Sequence, residues 1–393
     1  MGLRGQEVTV LGAGVAGLAV ARALALRGAH VTVLEQADAI SEVGAGLQIS
    51  PNGLAVLRAL GLSDALEAQS LRGRAVALKD GFDGSTVLRM DLGRLRPDQG
   101  WHFVHRADLI EILAQGAREA GAELRLLTHV DRVDLGGARP RAVTAQGSAY
   151  EGTLMIGADG LHSPMRRALL GEATPFFTHQ VAWRAVIAND PADPAEVEVH
   201  MGPGRHLVSY PLRGGAWRNI VAVEERHRWV EEGWALRDDP LELQLAFARF
   251  SPRVRGWLDR VQDVWLWGLF RHEVARAWQR ALPEGGVALV GDAAHPTLPF
   301  LAQGANMALE DAWALARSLD QAGSMAAGLA AYQAARLPRS SRIVAAANAN
   351  ARNYHLSGPL RGLAHLGLRL GGRLAPNLAL KKFDWLYGYD VTA

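Results

Sequence analysis

Glycines and acidic residues recur together after three apolar segments, and their spacing suits the binding of a phosphate-containing ligand. The first segment, Val8–Leu11, leads into the loop Gly12-Ala-Gly14-Val15-Ala16-Gly17, and Glu35 follows 23 positions after Gly12. In such a loop the glycines make the tight turn, admit a pyrophosphate and let the next helix pack closely, while the helix N-terminus attracts phosphate. Glu35 can accept a hydrogen bond from a ribose 2′-OH and would repel a 2′-phosphate, which predicts an ADP moiety.

The other two segments repeat the pattern far along the chain. Leu154–Gly157 leads into Asp159-Gly160, and Val287–Val290 leads into Gly291-Asp292, followed by Gln303-Gly304-Ala305-Asn306. An aspartate at Asp292 can accept hydrogen bonds from sugar-like hydroxyls, and Gly304 lets the backbone approach a planar ligand edge. The helix predicted to begin near Ala305 would present its N-terminus to a group that carries negative charge. The three segments in this order favour a flavin over a nicotinamide as the resident cofactor.

Composition narrows the class of protein. The chain has 393 residues, a formal net charge of +2, 49% hydrophobic residues and no cysteine. It can therefore bury a large core, and it cannot form disulfides, thiolate metal sites or cysteine nucleophiles. Basic and acidic residues are mixed without a basic stripe, so nucleic acid is not an expected partner. We find no signal peptide and no run of 18 apolar residues, which predicts a cytoplasmic protein that does not span a membrane.

The elements that must position these residues divide into two kinds. Residues 7–35 read as strand, helix and strand, which forces a parallel pair, whereas residues 176–275 read as short antiparallel strands separated by Pro and Gly turns. We therefore predict an α/β fold with a discontinuous Rossmann-like FAD-binding domain (1–73, 98–175 and 276–340). An antiparallel β-sheet domain for the substrate (74–97 and 176–275) is inserted in it, and residues 341–393 form a C-terminal helical segment.

These motifs resemble those of the single-component FAD-dependent aromatic hydroxylases, the class A flavoprotein monooxygenases. That group includes salicylate, 3-hydroxybenzoate and 6-hydroxynicotinate monooxygenases. The resemblance covers nearly the whole chain, and its motifs are Gly12–Gly17 with Glu35, Gly44–Asn52, His105–Leu109, Gly157–Gly160, Gly291–Asp311 and Asp384–Asp390.

The resemblance implies how FAD would be held without a covalent bond. Glu35 would bind the adenosine ribose, Val130 would touch the adenine side, Arg106 would reach the pyrophosphate or ribityl region, and Asp292 would hold the ribityl chain. The segment containing Asp159 would serve both FAD and a visiting NAD(P)H. The full set of predicted cofactor contacts is Gly12, Gly14, Val15, Ala16, Gly17, Glu35, Gln36, Gln48, Arg106, Val130, Asp159, Asp292, Gly304, Ala305 and Asn306.

The implied reaction hydroxylates a small hydroxylated aromatic or N-heteroaromatic acid. NAD(P)H would reduce the flavin, O2 would form a C4a-hydroperoxide, and its distal oxygen would attack an electron-rich ring carbon. A base that removes the phenol proton is useful, and His206 is the candidate, with Tyr210 four positions further along the chain on the same strand face and Pro299 close to the flavin ring. A second interpretation makes His206 and Tyr210 ordinary sheet residues.

Several assignments stay open on sequence grounds. Arg184, Arg205 and Arg213 are candidates for a substrate carboxylate, but each is expected to be a solvated strand residue. His295 is expected to be structural, and Trp267 to pack in the sheet. One alternative function is an epoxidase or tailoring oxygenase of a larger lipophilic or polycyclic substrate, and another is a flavin-binding sensor or scaffold that has lost turnover. We expect a monomer or a homodimer without a metal.

Overall fold

The computed structural model describes residues 2–40, 46–226, 228–230, 232 and 236–393. Gly44 and Ala45, which belong to the motif Gly44–Asn52, lie outside these ranges. The strands are β1 (Glu7–Leu11), β2 (His30–Leu34), β3 (Gly46–Ile49), β4 (Leu71–Arg72), β5 (Ala75–Asp80), β6 (Thr86–Asp91), β7 (His102–His105), β8 (Glu123–Arg125), β9 (Val130–Asp134), β10 (Arg141–Thr144), β11 (Ala149–Glu151), β12 (Leu154–Gly157), β13 (Phe176–Ala188), β14 (Glu196–Gly202), β15 (Arg205–Leu212), β16 (Trp217–Glu225), β17 (Arg237–Asp238), β18 (Val264–Arg271), β19 (Gln279–Leu282) and β20 (Gly285–Leu289).

Thirteen α-helices are found within the described ranges. They are α1 (Val15–Ala25), α2 (Pro51–Ala59), α3 (Ser63–Gln69), α4 (Leu92–Leu95), α5 (Arg106–Glu119), α6 (Pro164–Leu170), α7 (Pro240–Ala246), α8 (Pro252–Leu258), α9 (Gly304–Gln321), α10 (Met325–Tyr354), α11 (Gly358–Leu374), α12 (Pro376–Lys381) and α13 (Asp384–Tyr387). Short 3-10 turns follow β15 at Arg213–Gly215, follow β20 at Gly291–Ala293 and precede α9 at Pro299–Leu301.

A six-stranded sheet collects the three glycine-acid segments. Its order is β19-β20-β12-β1-β2-β8, and β1 pairs in parallel with both β2 and β12, while β12 pairs in parallel with β20. The central strands β1, β12 and β20 are buried along almost their whole length, and α1 buries nine of its eleven residues. The carboxyl ends of β1, β12 and β20 therefore lie side by side at one edge, where open α/β sheets bind ligands.

An eight-stranded sheet forms the second layer, in the order β17-β18-β13-β16-β15-β14-β5-β6. The sequence predicts antiparallel strands here, and the pairs are antiparallel with one exception: β14 pairs with β5 in parallel, from Glu196 opposite Ala75 to Met201 opposite Asp80. The expectation of a purely antiparallel sheet was wrong at this place. The partner β5 comes from far earlier in the chain, so no hairpin turn sets the direction of pairing.

The C-terminal helices lie against both layers. Arg339 of α10 donates hydrogen bonds to the backbone carbonyls of Trp385 (3.0 Å) and Leu386 (2.9 Å), and Arg96 bonds the carboxylate of Asp384 at 3.1 Å. These contacts hold the end of the chain near the first layer. None of the helices within the described ranges is both long and apolar enough to cross a membrane.

A serine precedes both α6 and α2, but only the serine before α6 caps its helix. Ser163 accepts a hydrogen bond from the Arg166 backbone N–H at 2.8 Å, as expected for an N-cap before Pro164. Ser50 precedes α2 with extended backbone, but its hydroxyl donates to Asn52 Oδ1 at 2.7 Å instead of capping the helix. Ser50 is occupied because it belongs to a buried polar cluster that the local sequence does not reveal.

Candidate active site

A cavity of about 330 Å³ lies between the two layers. One side is formed by the segments that follow β1, β12 and β20, and the other by strands β13, β15, β16 and β18. Residues from the loop before α9 close a third side. The cavity therefore meets the predicted phosphate-binding edge at one end and the second sheet at the other.

The glycine loop after β1 has the geometry that close approach to a ligand requires. Gly12 has a φ of +96°, a conformation that side chains disfavour, and a Cβ atom at Gly17 would lie 1.9 Å from the carbonyl oxygen of Gly12. Gly17 thus lets α1 pack against the turn. A Cβ atom at Gly14, which begins α1 and lines the cavity, would meet nothing within 4 Å. The space in front of Gly14 is where a pyrophosphate can reach the helix N-terminus.

Glu35 closes the same loop from the end of β2. Its Oε2 accepts a hydrogen bond from the Ala13 backbone N–H at 2.7 Å, and its Oε1 accepts one from Ala37 at 2.9 Å. Gln36 bonds the ring of His129 at 2.8 Å, next to Val130 at the start of β9. These residues form a group beyond the glycine loop, outside the lining of the cavity, on the side expected for the adenosine.

Two aspartates follow the other strands of the edge. Asp159 accepts a hydrogen bond at Oδ2 from the Met165 N–H at 3.1 Å, while its Oδ1 is buried without a partner among the described residues. Burial raises the pKa of Asp159 to about 6. Asp292 opens into the cavity, where desolvation raises the pKa of its carboxyl and the nearby Arg106 guanidinium opposes that effect.

The N-terminus of α9 supplies a third set of backbone donors. Gly304 and Ala305 line the cavity, but Asn306 does not. The Asn306 amide donates to the backbone carbonyls of Gln48 and Ala302, both at 2.9 Å, and accepts from the Ser50 N–H at 3.0 Å. Its side chain therefore fixes α9 against β3 and α2, and only its backbone is available to a ligand.

These residues fit an FAD. Two helix N-termini, at Gly14 and Gly304, point towards one cavity, and the open space before Gly14 suits a pyrophosphate. The open carboxylate of Asp292 is an acceptor that hydroxyl groups of a ribityl chain can satisfy, whereas Asp159, whose Oδ1 is buried, does not line the cavity. Arg106, which is buried and lines the same cavity, brings a cation to this anionic ligand.

The far end of the cavity carries the predicted catalytic residues. His206, Val208 and Tyr210 all line it, in agreement with the alternation of side chains along β15. Burial lowers the pKa of His206 well below its ordinary value and raises that of Tyr210, so both side chains are neutral near pH 7. Pro299 also lines the cavity. Gln48 does so too and accepts a hydrogen bond from the Trp101 indole at 3.1 Å.

The expectation that Arg184 is a solvated strand residue was wrong. Arg184 lines the cavity beside Trp267, whose ring centre lies 4.8 Å from the guanidinium carbon. Trp267 therefore faces the cavity instead of serving sheet packing alone. Burial and the neighbouring charge of Arg106 lower the pKa of Arg184 to about 10, which still leaves it a cation at neutral pH. The local sequence did not separate Arg184 from the other arginines because burial here comes from packing between layers.

The other two arginines lie elsewhere, as expected. Arg213 pairs with Asp108 at 2.8 Å with about half of its side chain exposed, and Arg205 pairs with Glu224 at 3.2 Å. Neither lines the cavity.

Sequence reasoning missed a buried charge cluster below α9. His295 forms a short contact with Asp311, and Asp311 also accepts a hydrogen bond from Arg336 at 2.8 Å. Glu310 binds Arg336 and, at 2.8 Å, Arg339. His295 is fully buried and absent from the cavity lining, which agrees with the structural role expected for it. Among the described residues, no group of three or more His, Cys, Asp or Glu side chains is placed to hold a metal ion.

The comparisons with known proteins agree with this geometry. The FAD binding domain family matches residues 6–347. The chain is 33% identical over 402 residues to 3-amino-4-hydroxybenzoate 2-monooxygenase of Streptomyces platensis, covering 98% of this chain and 96% of that one. It is 34% identical over 396 residues to 3-hydroxybenzoate 6-hydroxylase of Polaromonas naphthalenivorans, with the same coverage. The structure of Klebsiella pneumoniae HpxO complexed with FAD and uric acid matches with a TM-score of 0.81, at 25% identity over 95% of each chain.

The fold and the cavity define a flavoprotein with an FAD-binding sheet and a second sheet facing it. The chain belongs to the FAD-binding family of aromatic hydroxylases, the class A flavin monooxygenases, and is an FAD-dependent monooxygenase.

Proposed function

We propose that the protein uses NAD(P)H and O2 to hydroxylate a small hydroxylated aromatic or N-heteroaromatic acid. The observation that carries the proposal is the pairing, in one cavity, of a neutral histidine, His206, with a half-buried cation, Arg184. A ring that bears both a phenol and a carboxylate complements such a pair. The apolar side chains of Leu298 and Phe300 lie in the same lining and suit the ring itself.

In this proposal each side chain acts on the substrate or excludes water. FAD, reduced by NAD(P)H, supplies an electrophilic oxygen atom from O2. His206 removes the phenol proton, which makes the ring more nucleophilic, and Arg184 binds the carboxylate and sets the orientation of the ring. Tyr210 bears a neutral hydroxyl on the same wall. Pro299 and its apolar neighbours keep the reacting atoms away from water.

Residues of the first layer and its neighbours would hold FAD. We propose that Glu35, Gln36 and Val130 face the adenosine, that Gly12 to Gly17 and Arg106 face the pyrophosphate or ribityl region, and that Asp292 faces the ribityl hydroxyl groups. The segment that contains Asp159 would serve both FAD and NAD(P)H. The division into an FAD-binding part and a substrate-binding sheet belongs to the same proposal. NAD(P)H has no second dinucleotide fold of its own, so it would visit the cavity transiently.

The names of the relatives narrow the substrate class. The similar chains from Streptomyces platensis and Polaromonas naphthalenivorans are named for 3-amino-4-hydroxybenzoate and 3-hydroxybenzoate. Both compounds combine a carboxylate with a phenol on a single ring, as the cavity charges favour. A larger lipophilic or polycyclic substrate has no need of a half-buried arginine, because an uncompensated charge is costly next to an apolar ligand.

A substrate panel tests the proposal. The FAD-loaded protein is mixed with NADH or NADPH, and oxidation of the nicotinamide and formation of product are followed with hydroxybenzoates, aminohydroxybenzoates and hydroxynicotinates. We expect at least one acid to accelerate oxidation and to gain one hydroxyl group, detected by mass. The same ring without its carboxylate serves as the matched control. If no member of the panel is hydroxylated while a lipophilic polycyclic compound is, the small-acid proposal is wrong.

A further inference from the structure

A chain of hydrogen bonds connects the cavity histidine to the protein surface. His206 Nδ1 lies 2.7 Å from His355 Nε2, and His355 Nδ1 lies 2.7 Å from Glu225 Oε1. His206 is 1% exposed and His355 is 8% exposed, whereas the Glu225 side chain is 54% exposed. The three side chains therefore lead from the cavity to solvent over two short contacts.

The backbone holds this chain of bonds in place. His355 follows the last residue of α10, and its carbonyl accepts from the Gly204 N–H at 3.3 Å. The Gly204 carbonyl in turn accepts from the Glu225 N–H at 2.8 Å. The rings of Phe300 and Tyr354, with centres 5.6 Å and 5.0 Å from that of His206, fix the imidazole between them. One turn between β14 and β15 thus aligns the end of α10 with the end of β16.

The carboxylate determines which nitrogen atoms carry protons. Ionised Glu225 can only accept, so His355 Nδ1 must be the donor in that contact. A neutral His355 then has its lone pair on Nε2, and His206 Nδ1–H donates to it. This leaves Nε2 of His206 as the nitrogen with a free lone pair, which is the form that a general base requires.

We propose that His355 and Glu225 are a proton relay that carries the substrate's phenol proton from His206 to solvent. This inference rests on the proposed function, in which His206 is the base. His206 Nε2 accepts the phenol proton as the O–H bond breaks, and its Nδ1 proton moves to His355 Nε2. His355 then gives its Nδ1 proton to the Glu225 carboxylate, which releases it to water. Each group ends with the charge it had at the start, while the substrate has become a phenolate.

The surroundings favour passage of the proton over its retention. Burial lowers the pKa of His355, and the nearby Arg205 charge acts in the same direction, while hydrogen bonding to Glu225 opposes both effects. Tyr354 packs on His206 as a neutral phenol whose pKa burial raises. When His355 is protonated, its positive charge lies next to His206 and lowers the pKa of that ring. Protonation of both histidines at once is therefore disfavoured. An excess proton is therefore passed on to Glu225 and not stored.

A simple structural role for His355 makes a different prediction from a relay. Glutamine at this position can still accept from His206 Nδ1–H through its carbonyl oxygen and donate to Glu225 through its amide, but it cannot transfer a proton. His355→Gln therefore separates orientation from relay. Glu225→Gln preserves an acceptor for His355 and likewise cannot take up a proton. His365→Gln is the matched control, because His365 in α11 also pairs with a carboxylate, Asp80, at 3.3 Å, and it does not line the cavity.

The experiment follows ionisation of a bound phenol in the FAD-loaded protein before any reductant is added. Stopped-flow ultraviolet absorbance records phenolate formation from 3-hydroxybenzoate and from 3-amino-4-hydroxybenzoate between pH 5.5 and 8.5. We expect His355→Gln to slow phenolate formation at least about tenfold without weakening binding to the same extent, within the roughly 10²–10⁴-fold range of a positioned base. Glu225→Gln should slow it less, because water can replace an exposed carboxylate. His365→Gln should match the parent protein.

The outcomes distinguish a failure of the relay from a failure of the proposed function on which it rests. If His206→Ala forms phenolate as fast as the parent, or if neither probe binds, the proposed function fails and the relay loses its purpose. If His206→Ala is slow but His355→Gln and Glu225→Gln keep the parent rate and pH profile, the relay alone is wrong. Histidine ¹⁵N spectra give a readout that needs no substrate: the proton of neutral His206 must reside on Nδ1, and finding it on Nε2 would overturn the proposal.

Discussion

Arg184 is a half-buried cation in the cavity wall, and its charge favours a ligand that carries an anionic group. Its neighbour Arg106 is also positive, so the cavity favours anions at both positions. We predict that Arg184→Gln weakens binding of 3-hydroxybenzoate at least about tenfold, in line with a charge-assisted hydrogen bond of about 1.5–3 kcal/mol. Titration of flavin absorbance or fluorescence measures the dissociation constant. Phenol, which lacks the carboxylate, should lose much less, and an equal loss for both ligands would contradict a carboxylate contact.

Glu35 ties the glycine loop to the end of β2, in addition to the contact with the adenosine ribose that we propose for it. Its two oxygens accept from the Ala13 and Ala37 backbone at 2.7 Å and 2.9 Å. We predict that Glu35→Ala weakens FAD binding by about tenfold or more, since each lost hydrogen bond to a charged group costs about 1.5–3 kcal/mol. Quenching of FAD fluorescence on binding gives the dissociation constant. Glu123→Ala, at an exposed position on β8, is the control and should bind FAD normally.

Site residues could be predicted from the sequence when the residues that act together lie close to one another along the chain. The loop from Gly12 to Gly17 is a local pattern whose spacing was sufficient to predict it, and the pair His206 and Tyr210 followed from the resemblance to the aromatic hydroxylases. His355 could not be found in this way, because it lies 149 positions from His206 and meets it only through packing of α10. Arg184 was misassigned for a related reason: strand alternation gives the face of a residue, but not whether another layer covers that face.

Helix α9 shows how an element depends on charges supplied by its neighbour. Glu310 and Asp311 are fully buried on it, and Arg336 of α10 neutralises both. We predict that Arg336→Met destabilises the protein by about 3–5 kcal/mol, because it removes the cation that two buried carboxylates share, and His295 at Asp311 and Arg339 at Glu310 replace it only in part. Urea unfolding with saturating FAD measures the loss. Arg139→Met is the matched control, since Arg139 and Glu284 form an exposed pair that should contribute less than about 1 kcal/mol.

A loss below about 1 kcal/mol for Arg336→Met would mean that the carboxylates take up protons at little cost. Such a result would also weaken the view that α10 fixes the position of α9. Asn52 also reaches this cluster, donating to Glu310 at 2.6 Å, so α2, α9 and α10 share one set of charges. The strands and helices themselves were largely predictable from apolar periodicity. The parallel pairing of β5 with β14 was not, because it depends on which distant edge is left open.

At the scale of the whole molecule, neither layer alone forms the cavity, which lies where the two layers meet. The first layer brings helix N-termini and the carboxylate of Asp292 to the cavity, and the second brings His206, Tyr210 and Arg184. The end of α10 then connects the second layer to solvent through His355. Many ionisable side chains of this assembly are buried. Because some of them are histidines, the stability of the whole protein depends on pH.

Burial lowers the pKa of six described histidines from the ordinary value of 6.5, namely His102, His105, His200, His206, His355 and His365. The unfolded chain binds protons at these positions below about pH 6.5 and the folded chain binds them less readily, so stability present above that pH is lost as pH falls. His295 acts in the opposite direction, because contact with Asp311 raises its pKa. Since six shifts act against one, we expect a net loss of stability on acidification.

We therefore predict that the melting temperature, measured by circular dichroism with saturating FAD, falls between pH 6.5 and pH 5.5, before most carboxyl groups titrate. His102→Gln should make this decline shallower, because glutamine keeps a polar partner for the Ser70 hydroxyl, 2.8 Å from the ring, without binding a proton. His30→Gln changes an exposed histidine at the start of β2 and should leave the slope unaltered. A melting temperature that stays constant over this range would show that the buried histidines gain protons without loss of the fold.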